Sequence, residues 1–562
     1  MMPQPFNGLQ TRHVLSVALV TALLLVLCSR SDVTAWAPVA QAASITTGEP
    51  ALDGPLAVSA SETVGATAAA RTEARQRPLF NLQQLRAIWV DAFNPGIKTP
   101  REVDQLIERM HAARVNAIFA QVRKRGDAYF NRSIEPRADD LNEAPGNYDP
   151  LAYLIEKAHA ATPPIEVHAW LNALPVAKAS EPPTDTLHVY SAHGTNAPDA
   201  DNWLSKNVNG ALASDNLYFL DPGHPQADQY TSDVIVNLVK NYDVDGIHLD
   251  FIRYSGVQWG YNDVSVSRFN AATSTAGAPS PKDPRWMQWR RDQLSNLVRQ
   301  IYLETIALKP QMKVSAALIT WGRGPANDDD WRNMSAYNDV LQDWQAWLQE
   351  GTLDLAVPMN YDNEQKPQQR QWFDQWIEFE KAHRYQRQLA IGLGVFMNDL
   401  PGSDAQLRRA MAPGITGQVA QGVSFFSYTF TDAGDHNYDQ FAQTLTTSTD
   451  AQATSMPLPG FADWARIPDM PWKTRPTMGY LKGYAHLSDG HAADGYAVQL
   501  SGPASRTLTT SGTGFYGALN LPPGTYNVSL LQDGAHIASG RVSVAPGRVS
   551  ALDLNVSDRN EP

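Results

Sequence analysis

The sequence predicts an α/β fold: a (β/α)8 TIM barrel followed by a small all-β sandwich. Three observations carry the prediction. From residue 86 onward, apolar β-prone runs alternate with stretches of helical periodicity, which implies a parallel sheet. Eight such units fall within roughly 350 residues, the size of a closed barrel. After residue 431 the texture changes to short alternating runs separated by Gly, Pro, Asp and Asn, the pattern of a small sandwich. A doubly wound open sheet is the alternative. It is disfavoured because no Gly-rich phosphate-binding turn follows the first strand.

The predicted strands are RAIWVDAF (86–93), NAIFAQVR (116–123), IEVHAWLNAL (165–174), DGIHLDFIR (245–253), MKVSAALIT (312–320), LDLAVPMNY (353–361), LAIGLGV (389–395) and GVSFFSYTF (422–430). Helices lie between most of them. Residues 100–113 open at a Thr-Pro start signal and carry Val103, Leu106, Ile107 and Met110 on one face. Residues 148–161, 228–241 and 286–308 behave similarly. Two long segments leave the C-terminal ends of strands, where barrel enzymes build their sites. One runs from 175 to 227 and contains a predicted hairpin, KNVNGALASDNLYFLDPG (206–223), turning at Asn209-Gly210. The other spans 255–284. The barrel is assigned to 81–445, a connector to 446–475, and the sandwich to 476–556, where LPPGTYNVSLLQDG resembles transthyretin-like modules.

The chain has 562 residues, too many for one ordinary domain. At 43% hydrophobic and 18% charged it can bury a sizeable core. A formal net charge of -13 argues against a nucleic-acid partner, which demands a basic face. The 15 Trp and 20 Tyr suit carbohydrate stacking, although large enzymes also bury such residues. At the N-terminus, Arg12 precedes the apolar run VLSVALVTALLLVLC (14–28), shorter than the about 20 residues of a spanning helix. Ala40-Gln41-Ala42 fits a cleavage site, so residues 1–42 read as a secretory signal peptide. An uncleaved anchor is the alternative. A lipoprotein at Cys28 is disfavoured by Leu27, where a small residue belongs. Cys28 is the single Cys, and its removal leaves a mature chain without thiol or disulfide. Residues 43–80 read as a flexible tether. The expected location is the periplasm, cell envelope or exterior, with no membrane span in the mature chain.

The strand faces identify candidate site residues. In a barrel one face of each strand meets the helices and the other the interior. The fourth strand assigns Ile247, Leu249 and Phe251 to the helices and His248 and Asp250 to the interior. The third turns His168, Trp170 and Asn172 inward, the first Trp89 and Asp91, the second Gln121 and Arg123. The sixth ends in Asn360-Tyr361-Asp362. Polar groups thus gather where strands end, in a ring that can solvate a buried carboxylate. Read structurally, Asp250 is an ion-pair partner of Arg123 or Arg253, and the histidines are satisfied core residues. No tight metal-ligand spacing and no G-x-S-x-G elbow occur, so neither a metal, a cofactor nor a Ser nucleophile is expected.

RAIWVDAFNPGIKTPREVDQLI, FAQVRKRGDAYF, IEVHAWLNAL, FLDPGHPQ, VDGIHLDFIRY and LAVPMNY, in that order, resemble the glycosyl-hydrolase-like family 10 proteins, formerly the uncharacterised domain family 187. The resemblance covers residues 83 to 435. It implies a TIM barrel and a glycoside hydrolase. The family includes a bacterial outer-membrane lipoprotein that cleaves peptidoglycan glycan strands lacking stem peptides, so the implied substrate is cell-wall glycan or a related amino-sugar polymer. Asp250 matches the Asp of the family's fourth-strand motif. A second Asp follows it in some members, where Phe251 stands here. Asp91, Asn172, Gln121, Arg123, Asp127 and Asp221 also stand on motif positions.

Glycoside hydrolysis usually needs two carboxyl groups. Asp250 is the first choice for one role and Asp91 for the other, followed by Asp362, Asp221 and Asp127. Substrate assistance by an N-acetyl group is a further route. Trp89, Trp170, Trp203, Trp321 and Tyr361 are candidate sugar platforms, with core packing as the alternative for each. Arg123 and Asn172 are expected to hydrogen-bond sugar hydroxyls or acetamido groups, with Gln121, Asp127, Asp221, His248 and Asn360 also assigned to substrate binding. Two other readings are a catalytically silent glycan-binding protein and a structural envelope protein whose sandwich does the work.

Overall fold

The computed structural model describes residues 82–141, 144–434, 436–447 and 460–557. The predicted signal peptide, the tether and the first part of the connector lie outside these residues. Eight parallel strands form a closed barrel: β1 (Leu85–Val90), β2 (Ala117–Arg123), β3 (Glu166–Asn172), β4 (Gly246–Asp250), β5 (Lys313–Leu318), β6 (Leu355–Asn360), β7 (Gln388–Leu393) and β8 (Gly422–Phe425). Each pairs with its sequence neighbours, and β8 closes on β1 with Leu85 opposite Gly422. A helix follows each strand: α1 (Pro100–Ala112), α2 (Pro150–Ala160), α3 (Pro225–Asn241), α4 (Pro284–Leu308), α5 (Trp344–Glu350), α6 (Pro367–Ala382), α7 (Leu400–Met411) and α8 (Tyr438–Thr446). Several helices begin on a capping side chain followed by Pro, as Thr99-Pro100, Asp149-Pro150 and Asp283-Pro284 do. The Pro sits where the missing N–H costs nothing, so α3 and α4 start at Pro225 and Pro284, slightly earlier than periodicity alone suggests.

Alternation along the strands separates two apolar layers. Ile88, Ile118, Val167, Ile247 and Leu249 pack under the helices. Trp89, Phe119, Trp170, Leu355, Val357 and Ala390 fill the barrel itself. Gly392 makes room for the Trp89 indole: a Cβ there would sit 2.9 Å from it and 2.4 Å from the Pro358 carbonyl oxygen.

Three local features depart from the sequence reading. First, the β2–β3 register shifts between Gln121 and Arg123, so Gln121 stands beside Trp170 but Arg123 beside the outward-facing Leu171. The bulge carries one extra residue, and Arg123 leaves the barrel interior. Second, β4 ends at Asp250 because Phe251 adopts φ 52°, which breaks the alternation and sets its ring 5.8 Å from Phe219 of the insertion. Third, the strand Leu217–Phe219 pairs antiparallel with Pro175–Lys178, while Asn209-Gly210 forms a separate turn with Gly210 N–H bonded to the Asn207 carbonyl. The predicted 206–223 hairpin is therefore replaced by a ribbon joining the two ends of the insertion.

The N-terminal end of the barrel is sealed by the chain that leaves it. Lys473 reaches under the barrel to Asp354, 2.5 Å away and fully buried, and Trp472 Nε1 donates to the same carboxylate at 2.7 Å. Gln388 Nε2 donates to the Pro468 carbonyl at 2.9 Å. Residues 476–556 then form two four-stranded sheets, one on Gly479–His486 and Phe515–Leu521, the other on Ala497–Ser501 and Gly524–Gln532. The module packs on α4 through Tyr480 against Tyr302 and Lys482 paired with Glu304 at 2.5 Å. Among the described residues no helix is long and apolar enough to cross a membrane.

Candidate active site

The C-terminal ends of β1 to β4 are tied by one chain of hydrogen bonds. Gln121 Oε1 accepts the Ala92 N–H at 3.0 Å, and its Nε2 donates to Asn172 Oδ1 at 3.2 Å. Asn172 Nδ2 donates to the Lys124 carbonyl at 3.1 Å, and the Ala173 N–H to the Asp250 carbonyl at 2.8 Å. Both amide side chains are buried and hold the loops after β1, β2 and β3 in place. Their expected role as sugar donors gives way to this scaffolding, because each is largely committed to a backbone group and to the other.

Two carboxyls stand on that frame. Asp250 closes β4. Its Oδ1 accepts the Phe251 N–H at 2.6 Å and faces Arg253 Nη1 at 3.4 Å. Burial pushes its pKa up, while Arg253, the Phe251 N–H and the Trp170 indole pull back. Asp91 follows β1, and its Oδ1 accepts three donors: the N–H groups of Phe93 and Asn94 at 3.0 Å and Asn94 Nδ2 at 2.8 Å. Its pKa is also raised by burial, against the pull of Asn94 and Phe93. Among the described residues the geometric hydrogen bonds on both carboxyls fall on Oδ1, with the Trp170 indole as a further neighbour of the Asp250 carboxyl. A buried carboxyl with a raised pKa holds its proton closer to neutral pH, the condition a general acid needs.

The other expected site residues divide. Tyr361 and Trp321 are partly exposed at this end, and Tyr361 packs edge-on against Phe396 and tilted on Phe426, both partly exposed as well. Phe93, 45% exposed, stands on the loop after β1. These partly exposed rings present apolar faces at the mouth of the barrel. Phe93, Phe396 and Phe426 escaped the sequence reading because each sat inside or beside an apolar run indistinguishable from core.

Several assignments are corrected. Trp89 is buried to 1% and donates its indole N–H to His248 Nε2 at 3.0 Å, so it is core rather than platform. Since an indole can only donate, His248 Nδ1 carries the proton and donates to Ser315 Oγ at 2.9 Å, which donates to the Ile247 carbonyl at 3.0 Å. His248 stacks on Phe119, and burial drives its pKa well down; it is a satisfied neutral core residue, not a substrate ligand. Trp170 is buried beside it, opposite His248 in the β3–β4 register. Trp203 stacks on His193 at 3.9 Å and donates to Gln226 Oε1, far from offering a free face. Arg123, carried outward by the bulge, grips Glu135 with Nε and Nη2 at 2.7 Å each, and its Nη1 donates to the Asn172 carbonyl. Burial opposes its charge, Glu135 more than offsets this, and the guanidinium is buried in this ion pair. Asp221 is fully buried and accepts Gly223 N–H, Ser265 Oγ–H and Asn262 N–H, locking the insertion. Asp127 caps its own turn by accepting the Lys124 and Arg125 N–H groups at 2.8 Å. Asn360 points to the helix side, where Nδ2 donates to Glu380 of α6 at 3.1 Å. Asp362 lies beside that pair, and burial lifts its pKa to about 8.

The sequence signature described as glycosyl hydrolase-like 10 matches residues 84–400. The glycosyl hydrolase YngK of Bacillus subtilis is 26% identical over 296 residues, which cover 50% of this chain and 54% of that protein. The glycosyl hydrolase DigH of Escherichia coli K12 is 24% identical over 306 residues, 50% of this chain and 66% of that protein. The matched stretch thus spans between half and two thirds of these relatives. The glycoside hydrolase domain of PgaB (BpsB) from Bordetella bronchiseptica aligns with 65% of this chain and 98% of its own at 14% identity, with a TM-score of 0.45. With the match running over more than half of the chain, from β1 to the start of α7, the protein belongs to the glycosyl hydrolase-like 10 family.

Proposed function

We propose that this protein is an exported glycoside hydrolase that cleaves peptidoglycan glycan strands lacking stem peptides, or a closely related amino-sugar polymer. Family membership supports the class of reaction, and the partly exposed rings at the barrel mouth suit the apolar face of a sugar. Export rests on the apolar run 14–28 and the Ala40-Gln41-Ala42 site. The observation that carries the proposal is Asp250, a buried carboxyl at the C-terminal end of a barrel strand whose pKa is raised by that burial. Asp250 transfers the proton at the glycosidic oxygen, and Asp91 supplies the second carboxyl for the water or the sugar carbon. The frame of Gln121 and Asn172 keeps the two loops that carry them in register.

The Asp250–Arg253 contact favours a second reading, a glycan-binding protein without catalysis, because a paired carboxylate is a poor acid. Incubating the full chain with purified, peptide-free glycan strands and analysing the supernatant by mass spectrometry separates the two. Soluble fragments are expected. Binding to the strands with no fragments released would leave the second reading standing.

A further inference from the structure

The loops after β1 and β2 form one edge of the mouth, and they carry charges that the proposed chemistry does not use. Lys98, Lys124 and Arg125 gather there, in a chain whose formal net charge is -13. Asp140 serves the first two: its Oδ2 lies 2.8 Å from Lys98 Nζ and 3.0 Å from Lys124 Nζ, and its Oδ1 accepts the Tyr129 hydroxyl. Asp127 turns Oδ1 to backbone N–H groups. Glu181, on the insertion, pairs with Lys178 at 2.7 Å. The Arg125 guanidinium is left with no side-chain hydrogen bond or ion pair among the described residues. It lies over the Phe93 ring with Cζ 5.6 Å from the centroid, and Lys124 Nζ approaches the same exposed ring at 5.4 Å.

This pair is held, not dangling. The turn after β2 passes through Gly126 at φ 73°, where a Cβ would also stand 2.8 Å from His188 Cε1. His188 Nε2 donates to the Arg125 carbonyl at 3.0 Å, clamping the turn from the long insertion. Asp91 holds the Phe93 N–H, and Asn172 holds the Lys124 carbonyl. Phe93 therefore stands on the loop that carries Asp91, and Arg125 on the neighbouring loop that Asn172 ties to β3.

We propose that Phe93 and Arg125 form a subsite for a sugar residue that bears a free carboxylate. The ring offers an apolar face to the pyranose, and the guanidinium offers a planar fork that matches a carboxylate with two parallel hydrogen bonds. The inference deepens the reading above and rests on it: in a peptidoglycan glycan the carboxylate that anchors each stem peptide is free once the peptide is gone. A peptide amide at that position is neutral and leaves the guanidinium unmatched, so the subsite favours stripped strands.

The test reads binding, on the full chain carrying Asp250→Asn. It is titrated with one oligosaccharide of the polymer in two forms, free carboxylate and methylamide. A preference of about tenfold for the acid is expected, the scale of a charge-assisted hydrogen bond discounted for partial exposure, and it should narrow as NaCl is raised. Adding Arg125→Gln should reduce the preference to about one. Adding Arg125→Lys, which keeps the charge without the fork, should leave a smaller, salt-sensitive remainder, and it carries the test if the Gln variant does not fold. Equal affinity for the two forms in the parent, or a full preference retained by either variant, overturns the proposal. Because binding is read on a variant that needs no activity, failure of the native chain to release fragments strikes the hydrolase reading and leaves this test intact.

Discussion

The two ends of the barrel bury carboxylates on opposite terms. At the N-terminal end Asp354 is fully enclosed, and both oxygens are matched. Oδ1 accepts Trp472 Nε1–H at 2.7 Å and the Tyr302 hydroxyl at 3.1 Å, and Oδ2 takes Lys473 Nζ at 2.5 Å and the Val314 N–H at 2.9 Å. Glu166 nearby is treated the same way. Burial would raise its pKa, but Lys313 at 2.9 Å and His168 at 3.1 Å outweigh that and hold it well below the usual carboxylate range. At the C-terminal end Asp250 and Asp91 are buried with their directional bonds on one oxygen, and both pKa values are raised. A charge removed from water must be matched by partners or shift toward its neutral form. The closed end takes the first course and gains stability. The open end takes the second, which on the function proposed above supplies a proton-transferring group.

Four predictions break or sharpen that contrast. The largest effect belongs to Asp250→Asn. The amide keeps the shape but cannot deliver an acidic proton, so glycan cleavage should fall by about 10²–10⁴-fold or more while the melting temperature stays near that of the parent. A lowered melting temperature with normal specific activity in the folded fraction would assign Asp250 to the structural class of Asp354. Asp91→Asn should repeat the pattern if Asp91 is the second carboxyl.

At the closed end the signs reverse. Asp354→Ala strands the buried Lys473 ammonium and should cost about 3–5 kcal/mol in denaturant unfolding, with near-parent specific activity among molecules that remain folded. Truncation after residue 447 leaves α8 whole, removes Trp472 and Lys473 together and opens the bottom of the barrel. Such a chain should be insoluble or much less stable than the parent, and a soluble chain with an unchanged melting temperature would mean that the strap is dispensable.

The last prediction concerns pH. Glu380 and Asp362 both have pKa values raised to about 8, chiefly by burial. Unfolded carboxyls titrate near about 4, so between pH of about 4 and about 8 the folded chain binds more protons than the unfolded one. Stability from this pair is therefore present at the acid edge of the window and lost as pH rises through it. Melting temperatures measured at pH 5, 6.5 and 8 should decline (about 4 to 8 being the responsive range), and Glu380→Gln should flatten the decline. A melting temperature that climbs toward pH 8 in the parent and is unmoved by the substitution would remove the pair from the account.

How much of this was legible depends on the range of the interaction concerned. Strand alternation placed Ile247 and Leu249 under the helices and Asp250 at the mouth, because side-chain direction in a strand follows from position alone. The same rule failed at Arg123 and Phe251. A one-residue bulge and a single left-handed backbone step reset the alternation, and neither leaves a mark in composition. Trp89 and Trp170 read equally as platforms or core, since an aromatic ring serves either use and only its surroundings decide. Residues 460–475 read as a connector because Pro, Asp and Trp spaced without period carry no element signal, yet Trp472 and Lys473 seal the barrel.

The sequence by itself determined the eight-unit βα alternation, the sandwich that follows it, the family, and the presence of Asp250 and Asp91 at strand ends. Those properties are local or repeat along the chain, and periodicity and ordered motifs record them directly. Tertiary structure alone decided which polar groups are matched. Arg123 finds Glu135 twelve positions on, Asp354 finds Lys473 from beyond the barrel, and Arg125 lies over Phe93 with no side-chain hydrogen bond or ion pair among the described residues. Whether a charge is structural or chemical depends on the partners that folding brings within hydrogen-bond reach, and those partners lie too far apart in the chain for any local pattern to register.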